Sequence, residues 1–206
     1  MNDALKTVLN VGCGPRGREH GFAGFDQDWR ELRLDIDPTV EPDLVGTMTE
    51  MSAVASASVD AIVSSHNIEH LYPHQVPVAL AEFVRVLKDD GMVLITCPDL
   101  QSVCARVANG ELASPLYQSP AGPIAAIDII YGHRGAMAAG NLFMAHLCGF
   151  TLQVLIDTLQ ACGFSRTAGL ARPEAFDLWV VASKAALSDD EIRALAVKHL
   201  PRRIEA

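Results

Sequence analysis

Short apolar runs alternate with amphipathic or polar connections over the first half of the chain. Five runs are predicted to be strands, at residues 7–11, 31–36, 43–46, 59–65 and 91–97. They are apolar at successive positions, which is typical of parallel strands covered by helices on both faces. Between the last two runs, apolar residues recur at helical spacing from Val76 to Leu87, and Gly91 after Lys88 predicts the helix end. The alternation predicts an α/β protein with an open parallel sheet.

The stretch from Pro98 to Phe150 has scattered Pro, Gly and Ser residues and no strong period. It is too long for a plain connection, so we expect an insert or cap with short helices at about residues 100–150.

The chain after this insert returns to clear patterns. Thr151 is a good N-cap for a helix that Gly163 would end. Two strands at residues 165–172 and 176–184 follow closely enough to predict an antiparallel pair. Ser188 then opens a capping box for a terminal helix.

Composition narrows the class of protein. The chain has 206 residues, which fits a single domain over residues 1–206, and its net charge of −9 argues against gripping a nucleic-acid backbone. None of the five cysteines forms a C-x-x-C pair, so no disulfide framework or zinc site is predicted. We see no signal peptide, and the uncharged stretch 135–156 carries too many polar residues for a membrane span. A cytoplasmic location is the expectation.

A glycine-rich motif follows the first predicted strand directly. Gly12-Cys13-Gly14-Pro15-Arg16-Gly17 has the G-x-G-x-x-G pattern, which allows a tight turn and close approach of a ligand. The alternative is a glycine turn without a ligand. Asp35 ends the second strand, where an acid can accept both ribose hydroxyls of a nucleoside cofactor, or simply cap a turn. Together the two signals favour an adenosine cofactor.

The chain after the glycines bears on which adenosine cofactor binds. A pyrophosphate needs a firm helix N-terminus, but the segment 18–33 holds turn signals and no strong helix. S-adenosylmethionine has no phosphate and needs only backbone contacts to its amino-acid part. An NAD-dependent oxidoreductase is therefore the weaker alternative.

The order of these motifs resembles class I S-adenosylmethionine-dependent methyltransferases. The pieces that carry the resemblance are VLNVGCGPRG, LDIDP, SVDAIVSSHNIEHL and FVRVLKDDGMVLITCPD. The resemblance implies a Rossmann-like open sheet of seven strands, mostly parallel with an antiparallel last strand, and helices on both faces. It covers nearly the whole chain, and the insert matches least. The EHL, RVLK-DG and YGH…GF segments are similar to predicted bacterial methyltransferases of uncharacterised substrate.

This resemblance implies roles for the glycine turn. Gly12, Cys13 and Gly14 would lie against the methionine part of the cofactor. Asn10 stands where the family usually has an acid ahead of the glycines. It can hydrogen-bond the cofactor but supplies no charge to its ammonium group.

The resemblance also implies contacts to the nucleoside. Asp35 would bind the ribose hydroxyls and Ile36 would lie against the adenine. The acid that often meets the adenine amine is absent, so Thr47 through its hydroxyl and Met48 through its backbone are expected instead. The residues expected at the floor of the site near the sulfonium are Ser65 and His66.

Three histidines after the fourth strand suggest two chemistries. His66, His70 and His74 have helical spacing, but Pro73 interrupts that helix, so we predict no metal site. His70 follows Glu69, and a histidine beside a carboxylate can act as a general base. The alternative is a histidine that fixes the loop.

Polar side chains also cluster inside the apolar insert. Tyr131, His133, Arg134 and His146 need partners if they are buried, and the methyl acceptor or the loop itself could provide them. The catalytic candidates are therefore His70, His146 and Tyr131.

The expected activity is methyl transfer from S-adenosylmethionine to an O, N or C nucleophile of a small molecule. Neither nucleic acid nor membrane is expected as a partner. The alternative is a degenerate cofactor-binding or regulatory partner subunit without turnover. Asn10, the missing adenine acid and the lack of a helix ahead of the first strand motivate it. An uncovered apolar surface there would also favour a homodimer.

Overall fold

The computed structural model describes residues 5–16 and 23–201. The strands within these ranges are β1 Lys6–Val11, β2 Trp29–Asp35, β3 Leu44–Val45, β4 Val59–Ser65, β5 Leu87–Pro98, β6 Pro115–Ser119, β7 Gly122–Ala125, β8 Arg166–Arg172 and β9 Asp177–Ser183. The helices are α1 Val76–Val86, α2 Leu100–Ala108, α3 Ala126–Tyr131, α4 Arg134–Ala138, α5 Leu152–Ala161 and α6 Asp189–His199.

Seven strands form the main sheet in the order β3-β2-β1-β4-β5-β9-β8. β1, β2, β3, β4 and β5 pair in parallel, whereas β9 runs antiparallel to both β5 and β8. This confirms the expected α/β architecture with an antiparallel last strand. In space that strand lies between β5 and β8, one position in from the edge of the sheet.

Alternate residues of the central strands enter two different apolar cores. Leu9 and Val11 of β1 pack in the cluster that contains Leu80 of α1 and Leu159 of α5. Val8 packs on the opposite face, in the cluster that contains Ile192 of α6. Because side chains alternate across a strand, both faces of β1 are covered, which confirms helices on both faces of the sheet.

The passage from α1 to β5 corrects one boundary. Gly91 does not end the helix: α1 ends at Val86, and Leu87 is already extended and pairs with Val59. The register against β4 then shifts before Met92, so the chain bulges and turns back on itself. A Cβ at Gly91 would crowd Leu87, so the glycine serves this bulge.

The chain after the insert follows the sequence pattern closely. Thr151 caps α5 by accepting from the amide of Val154, and Gly163 follows the helix end with a φ of 107°. Ser188 and Glu191 form the predicted capping box of α6. The predicted terminal helix and antiparallel pair are thus confirmed.

The segment between β5 and α5 forms a cap at the carboxyl ends of the central strands. It contains α2, the β6–β7 hairpin, α3, α4 and a 3₁₀ turn at Leu142–Met144. A small apolar core of its own includes Val103, Ile124 and Ile129. The expected short helices are present, accompanied by a hairpin that the sequence analysis did not predict.

Two cap glycines with similar φ values differ in their surroundings, which allows a comparison. Gly132 has a φ of 96° and pairs with Ala145, and a Cβ there would overlap the carbonyl oxygen of Met144. Gly140 has a φ of 98° and no atom within 4 Å of its Cβ position.

We expect Gly140→Ala to destabilise the fold by roughly 1 kcal/mol from backbone strain. Gly132→Ala should cost clearly more, because the α3 end and the 3₁₀ turn must also separate. Urea unfolding measures both free energies. Equal losses would show that the close approach at Gly132 contributes nothing.

Candidate active site

The sheet opens a crevice where its strand order reverses. From β1 the chain moves outward to β2 and β3, then crosses back to β4 on the other side of β1. Open α/β sheets bind ligands at such a switch point, at the carboxyl ends of the strands. The connections that begin at residues 12, 36 and 66 meet in this region.

The glycine turn after β1 closes against the connection after β4. Gly12 and Gly14 have φ values of 70° and 61°, a region in which glycine is strongly favoured. The amide of Asn67 lies over Gly12, where a Cβ would overlap it, and donates to the carbonyl of Val11 at 3.0 Å. Sequence reasoning missed Asn67, whose only signal was its place after β4. Gly17, the third glycine of the motif, lies outside the described residues.

Cys13 is packed inside this turn. Its side chain is 1% exposed, and burial raises the pKa of the thiol to about 11, although Arg33 opposes the rise. The thiol is therefore protonated near neutral pH. A protonated, buried thiol fits a packing role in the turn better than a nucleophilic one.

Asp35 joins the two loops that border the crevice. One carboxylate oxygen accepts from the amide of Gly14 at 2.8 Å, and the other accepts from the amide of Asp37 at 2.9 Å. Each oxygen keeps lone-pair capacity for a further donor. Ile36 beside it is 46% exposed and offers an apolar surface at the crevice.

Two more polar side chains, Asn10 and Arg33, form hydrogen bonds beside the glycine turn. The amide of Asn10 donates to Glu31 at 2.7 Å, so its nitrogen is used within the sheet. Arg33 is buried, and its guanidinium donates to the carbonyls of Gly14 and Glu41. Arg33, which the sequence analysis did not single out, thus ties the glycine turn to the loop after β2.

Thr47 and Met48 lie just beyond β3, in the loop that faces this crevice. The hydroxyl of Thr47 lies 3.1 Å from that of Thr49. The side chain of Met48 belongs to the main core and is 7% exposed, which leaves its backbone for a ligand. A role in adenine binding remains a prediction for both residues.

The end of β4 faces a cleft beneath the cap. Ser65 is paired with Thr96 through their hydroxyls at 2.9 Å. His66 has a φ of 47°, and its side chain is half-exposed and lines the cleft. Phe176, in the turn between β8 and β9, also lines it and has a φ of 58°. Backbone strain of this kind concentrates at functional sites.

The cleft has a cavity volume of about 130 Å³ and opens to solvent. Its wall combines apolar and polar side chains from β4, the cap and the β8–β9 turn. The lining residues are His66, Pro98, Tyr117, Ile124, Asp128, Ile129, His133, Met144, His146, Ala175 and Phe176. Such a mixed lining is typical of a small-molecule site, and the volume suits a very small ligand or one end of a larger one.

A group of titratable side chains lies beside the cleft, and two of its members, His66 and His146, line the cleft wall. Glu69 is 1% exposed, and one of its oxygens is 3.5 Å from Nδ1 of His66. The rings of His70 and His146 lie 4.9 Å apart, and a ligand atom of each lies within 4.8 Å of the Glu69 carboxylate. Sequence reasoning paired Glu69 with His70 only, because His146 comes from the far end of the cap.

The pKa values of this group reflect its burial. Burial alone would raise the pKa of Glu69, but the three histidines outweigh it and the pKa lies below its ordinary value. Burial opposes the charge on His66, yet the facing Glu69 carboxylate raises its pKa. Burial lowers the pKa of His146, so this ring is neutral near pH 7.

Backbone hydrogen bonds bring the two segments together. The carbonyl of Glu69 accepts from the amides of Leu147 and Cys148, at 2.8 and 3.2 Å. Nδ1 of His70 lies 2.9 Å from the carbonyl oxygen of Ala145. The final segment of the cap thus pairs with the turn after β4, and this pairing places His146 beside Glu69 and His70.

The other polar residues of the cap have separate positions. The ring of Tyr131 is 61% exposed and is not part of the cleft wall, so its predicted catalytic role gains no support. Arg134 forms two hydrogen bonds to Asp128, at 2.6 and 3.0 Å, and holds the pKa of that carboxyl at about 2. His133 caps α4 through Nδ1 and lines the cleft. Arg134 and His133 thus find their partners within the cap, as the alternative of a loop network predicted.

Comparisons with known proteins agree with this fold. Residues 9–95 match the family model described as a methyltransferase domain. The match begins in β1, continues into β5 and stops before the cap. No curated protein matches the chain.

Solved structures share the fold at low sequence identity. A SAM-dependent methyltransferase from Methanosarcina mazei is 16% identical with a TM-score of 0.57, covering 89% of this chain and 94% of that one. Another from Thermotoga maritima is 15% identical with a TM-score of 0.54, covering 87% and 82%. The CMeT domain structure of the citrinin polyketide synthase is 13% identical with a TM-score of 0.57, covering 89% of this chain and 47% of that one. The chain thus spans about half the length of the latter.

The sheet order and the matched segment agree with each other. Residues 9–95 are similar to a methyltransferase domain, and the chain has the fold of S-adenosylmethionine-dependent methyltransferases. None of the helices among the described residues combines the length and apolar character needed to cross a bilayer.

The residues at the crevice fit this cofactor. Asp35 has lone pairs left for ribose hydroxyls, and exposed Ile36 offers a face for adenine. The turn at Gly12 and Gly14 brings backbone close to where the amino-acid part would lie. The individual contacts remain predictions.

Asp35 and Asp37 provide a matched pair for testing the ribose contact. Asp35→Asn should weaken S-adenosylhomocysteine binding about tenfold or more, since a hydrogen bond to a charged group contributes about 1.5–3 kcal/mol. Asp37→Asn should change it little, because that carboxylate caps Thr39 at the surface. Calorimetric titration measures both. A normal affinity in Asp35→Asn would refute the ribose role.

Proposed function

We propose that the protein methylates a small molecule bound in the cleft beneath the cap. The observation that carries this proposal is the position of the cleft. It begins at His66, directly after β4, and is closed by Met144 and His146 of the cap. An acceptor in it would lie beside the crevice that fits the cofactor.

The volume of the cleft and the net charge of the chain both support a small acceptor. The cavity volume of about 130 Å³ suits a very compact acceptor, or one whose remainder extends into solvent. The net charge of −9 disfavours a nucleic-acid backbone, which binds through many Lys and Arg contacts.

Bound S-adenosylmethionine supplies an electrophilic methyl group on a sulfonium, so the enzyme needs no covalent intermediate. The chain's task is to hold the two reactants in line. The glycine turn and Asp35 would fix the cofactor, while the walls of the cleft would fix the acceptor. Such positioning can supply about 7–11 kcal/mol of the barrier reduction.

The cleft wall can orient an acceptor in two ways. Ile129, Met144 and Phe176 offer apolar surface that would pack against it and exclude water. His66 and His133 offer ring nitrogens that would hydrogen-bond its polar groups. The reacting atom would then lie at the inner end of the cleft, near His146.

A nucleophile that must lose a proton needs help at this inner end. The group formed by Glu69, His70 and His146 lies there and carries negative charge on a buried carboxylate. It would favour removal of the proton from an acceptor hydroxyl or amine. An acceptor that is already anionic would not need it.

The acceptor class is tested by following a tritiated methyl group from S-adenosylmethionine. Pools of small phenols, carboxylic acids, amines and activated methylene compounds are offered in parallel with total RNA and total protein. We expect label only in small-molecule products. Label only in RNA or protein would refute the proposal, and cofactor binding without any transfer would favour a regulatory subunit.

Two residues of one 3₁₀ turn then test the cleft itself. Met144→Trp should fill the cleft and lower acceptor kcat/KM at least tenfold, with S-adenosylhomocysteine affinity unchanged. Leu142→Trp should leave both unchanged, because Leu142 is 72% exposed and outside the cleft wall. Calorimetry and the label assay report the two quantities. Unaltered turnover in Met144→Trp would place the acceptor elsewhere.

A further inference from the structure

The buried carboxylate of Glu69 lacks the partners that its burial requires. It is 1% exposed, and neither oxygen accepts a hydrogen bond from the residues that the structure describes. An ionised carboxylate in such a place is destabilised by several kcal/mol unless a cation or donors compensate it. Its negative charge therefore calls for a positive partner.

Two imidazole rings approach this carboxylate with their orientation fixed. Nδ1 of His70 lies 2.9 Å from the carbonyl of Ala145, and Nδ1 of His146 lies 2.7 Å from that of Ile129. Because a carbonyl oxygen only accepts, each Nδ1 carries the proton. In a neutral ring, the lone pair then lies on Nε2. This backbone support is the arrangement that metal-binding histidines usually have.

The three side chains lie close enough to share one ion. One potential ligand atom from each of Glu69, His70 and His146 lies within 4.8 Å of the others. Ligands bound to one zinc at about 2.1 Å lie roughly 3.4 Å apart, so small side-chain rotations would close the site. Two imidazole nitrogens and one carboxylate form a ligand set that suits divalent transition metals.

We propose that Glu69, His70 and His146 bind a divalent transition-metal cation at the inner wall of the acceptor cleft. His146 lines that cleft, so the cation would have coordination positions open toward the acceptor. The ligand set carries one negative charge, which leaves the bound ion with net positive charge. An oxygen atom of the acceptor would complete the coordination.

This inference rests on the proposed function and narrows it to oxygen acceptors. A bound cation lowers the pKa of a coordinated hydroxyl and holds its oxygen in place. The cation would thus replace a free histidine base: the hydroxyl proton would pass to solvent water, the oxygen would form the bond to the methyl carbon, and the methyl–sulfur bond would break to leave S-adenosylhomocysteine. Acceptors with two adjacent oxygens would bind best, since they can chelate the ion.

A protonated His66 is the competing partner for Glu69. Its Nδ1 lies 3.5 Å from one carboxylate oxygen, longer than a normal charge-assisted hydrogen bond. Its side chain is 53% exposed, so water screens the pair.

Cobalt(II) provides a direct test that needs neither cofactor nor acceptor. Chelator-treated protein is titrated with CoCl₂, and the visible d–d absorption bands report nitrogen and oxygen ligands. We expect a single bound ion, displaced by zinc. Glu69→Gln and His146→Gln should each weaken binding at least tenfold.

His74→Gln is the matched control. His74 is exposed and stacks on Tyr72, away from the group, so this variant should bind cobalt like the wild type. Zinc should raise the thermal midpoint of the wild type and His74→Gln, but not of Glu69→Gln. Glu69→Gln keeps the shape of the side chain, and its thermal midpoint without metal reports whether it folds. Failure of the wild type to bind cobalt, or equal affinity in all variants, would overturn the proposal.

Acetohydroxamic acid, a chelating oxygen ligand, tests the open positions. Its addition should shift the cobalt bands of the wild type but not of Met144→Trp, which keeps the metal and fills the cleft. Bound cobalt with unshifted bands would refute access from the cleft. Cobalt binding without methyl transfer to small molecules would leave the metal site standing and refute the proposed function. Methyl transfer to small molecules without metal binding would refute the metal site and leave the proposed function standing.

Discussion

Burial of β1, β4 and β5 on both faces is the constraint on which the site depends. Alternate side chains of these strands enter separate cores, under α1 and α5 on one face and α6 on the other. Parallel strands covered in this way need crossovers, and the crossovers leave β1 and β4 in opposite directions. The crevice that fits the cofactor is therefore a consequence of how the sheet is covered.

The cap contributes a polar side chain, His146, to the group that begins in the turn after β4. Its final segment pairs with the turn after β4 through the carbonyl of Glu69, and this places His146 against His70. Gly132 allows the close backbone approach that shapes this segment. In the proposed function, the sheet would position the methyl donor, while the cap would enclose the acceptor and contribute His146 to the polar group.

Local signals predicted the fold well, because the residues that determine each strand, helix cap and turn are adjacent in the sequence. The strands and helices outside the cap follow this rule, and so does Asp35 at the end of β2. Gly91 was misread, because a bulge that turns back on Leu87 looks like a helix end in sequence. The group at the cleft was missed for another reason. Sequence spacing offered His74 as a companion of His70, whereas the structure supplies His146 through a pairing that no local pattern records.

The proposed function requires the cofactor crevice and the cap cleft to meet at the end of β4. A crystal structure of the complex with S-adenosylhomocysteine tests it most directly. We expect the cofactor's sulfur between the ends of β1 and β4, with its open side toward His66 and the cleft. A sulfur atom that faces away from the cleft, or is separated from it by the cap, would contradict this account.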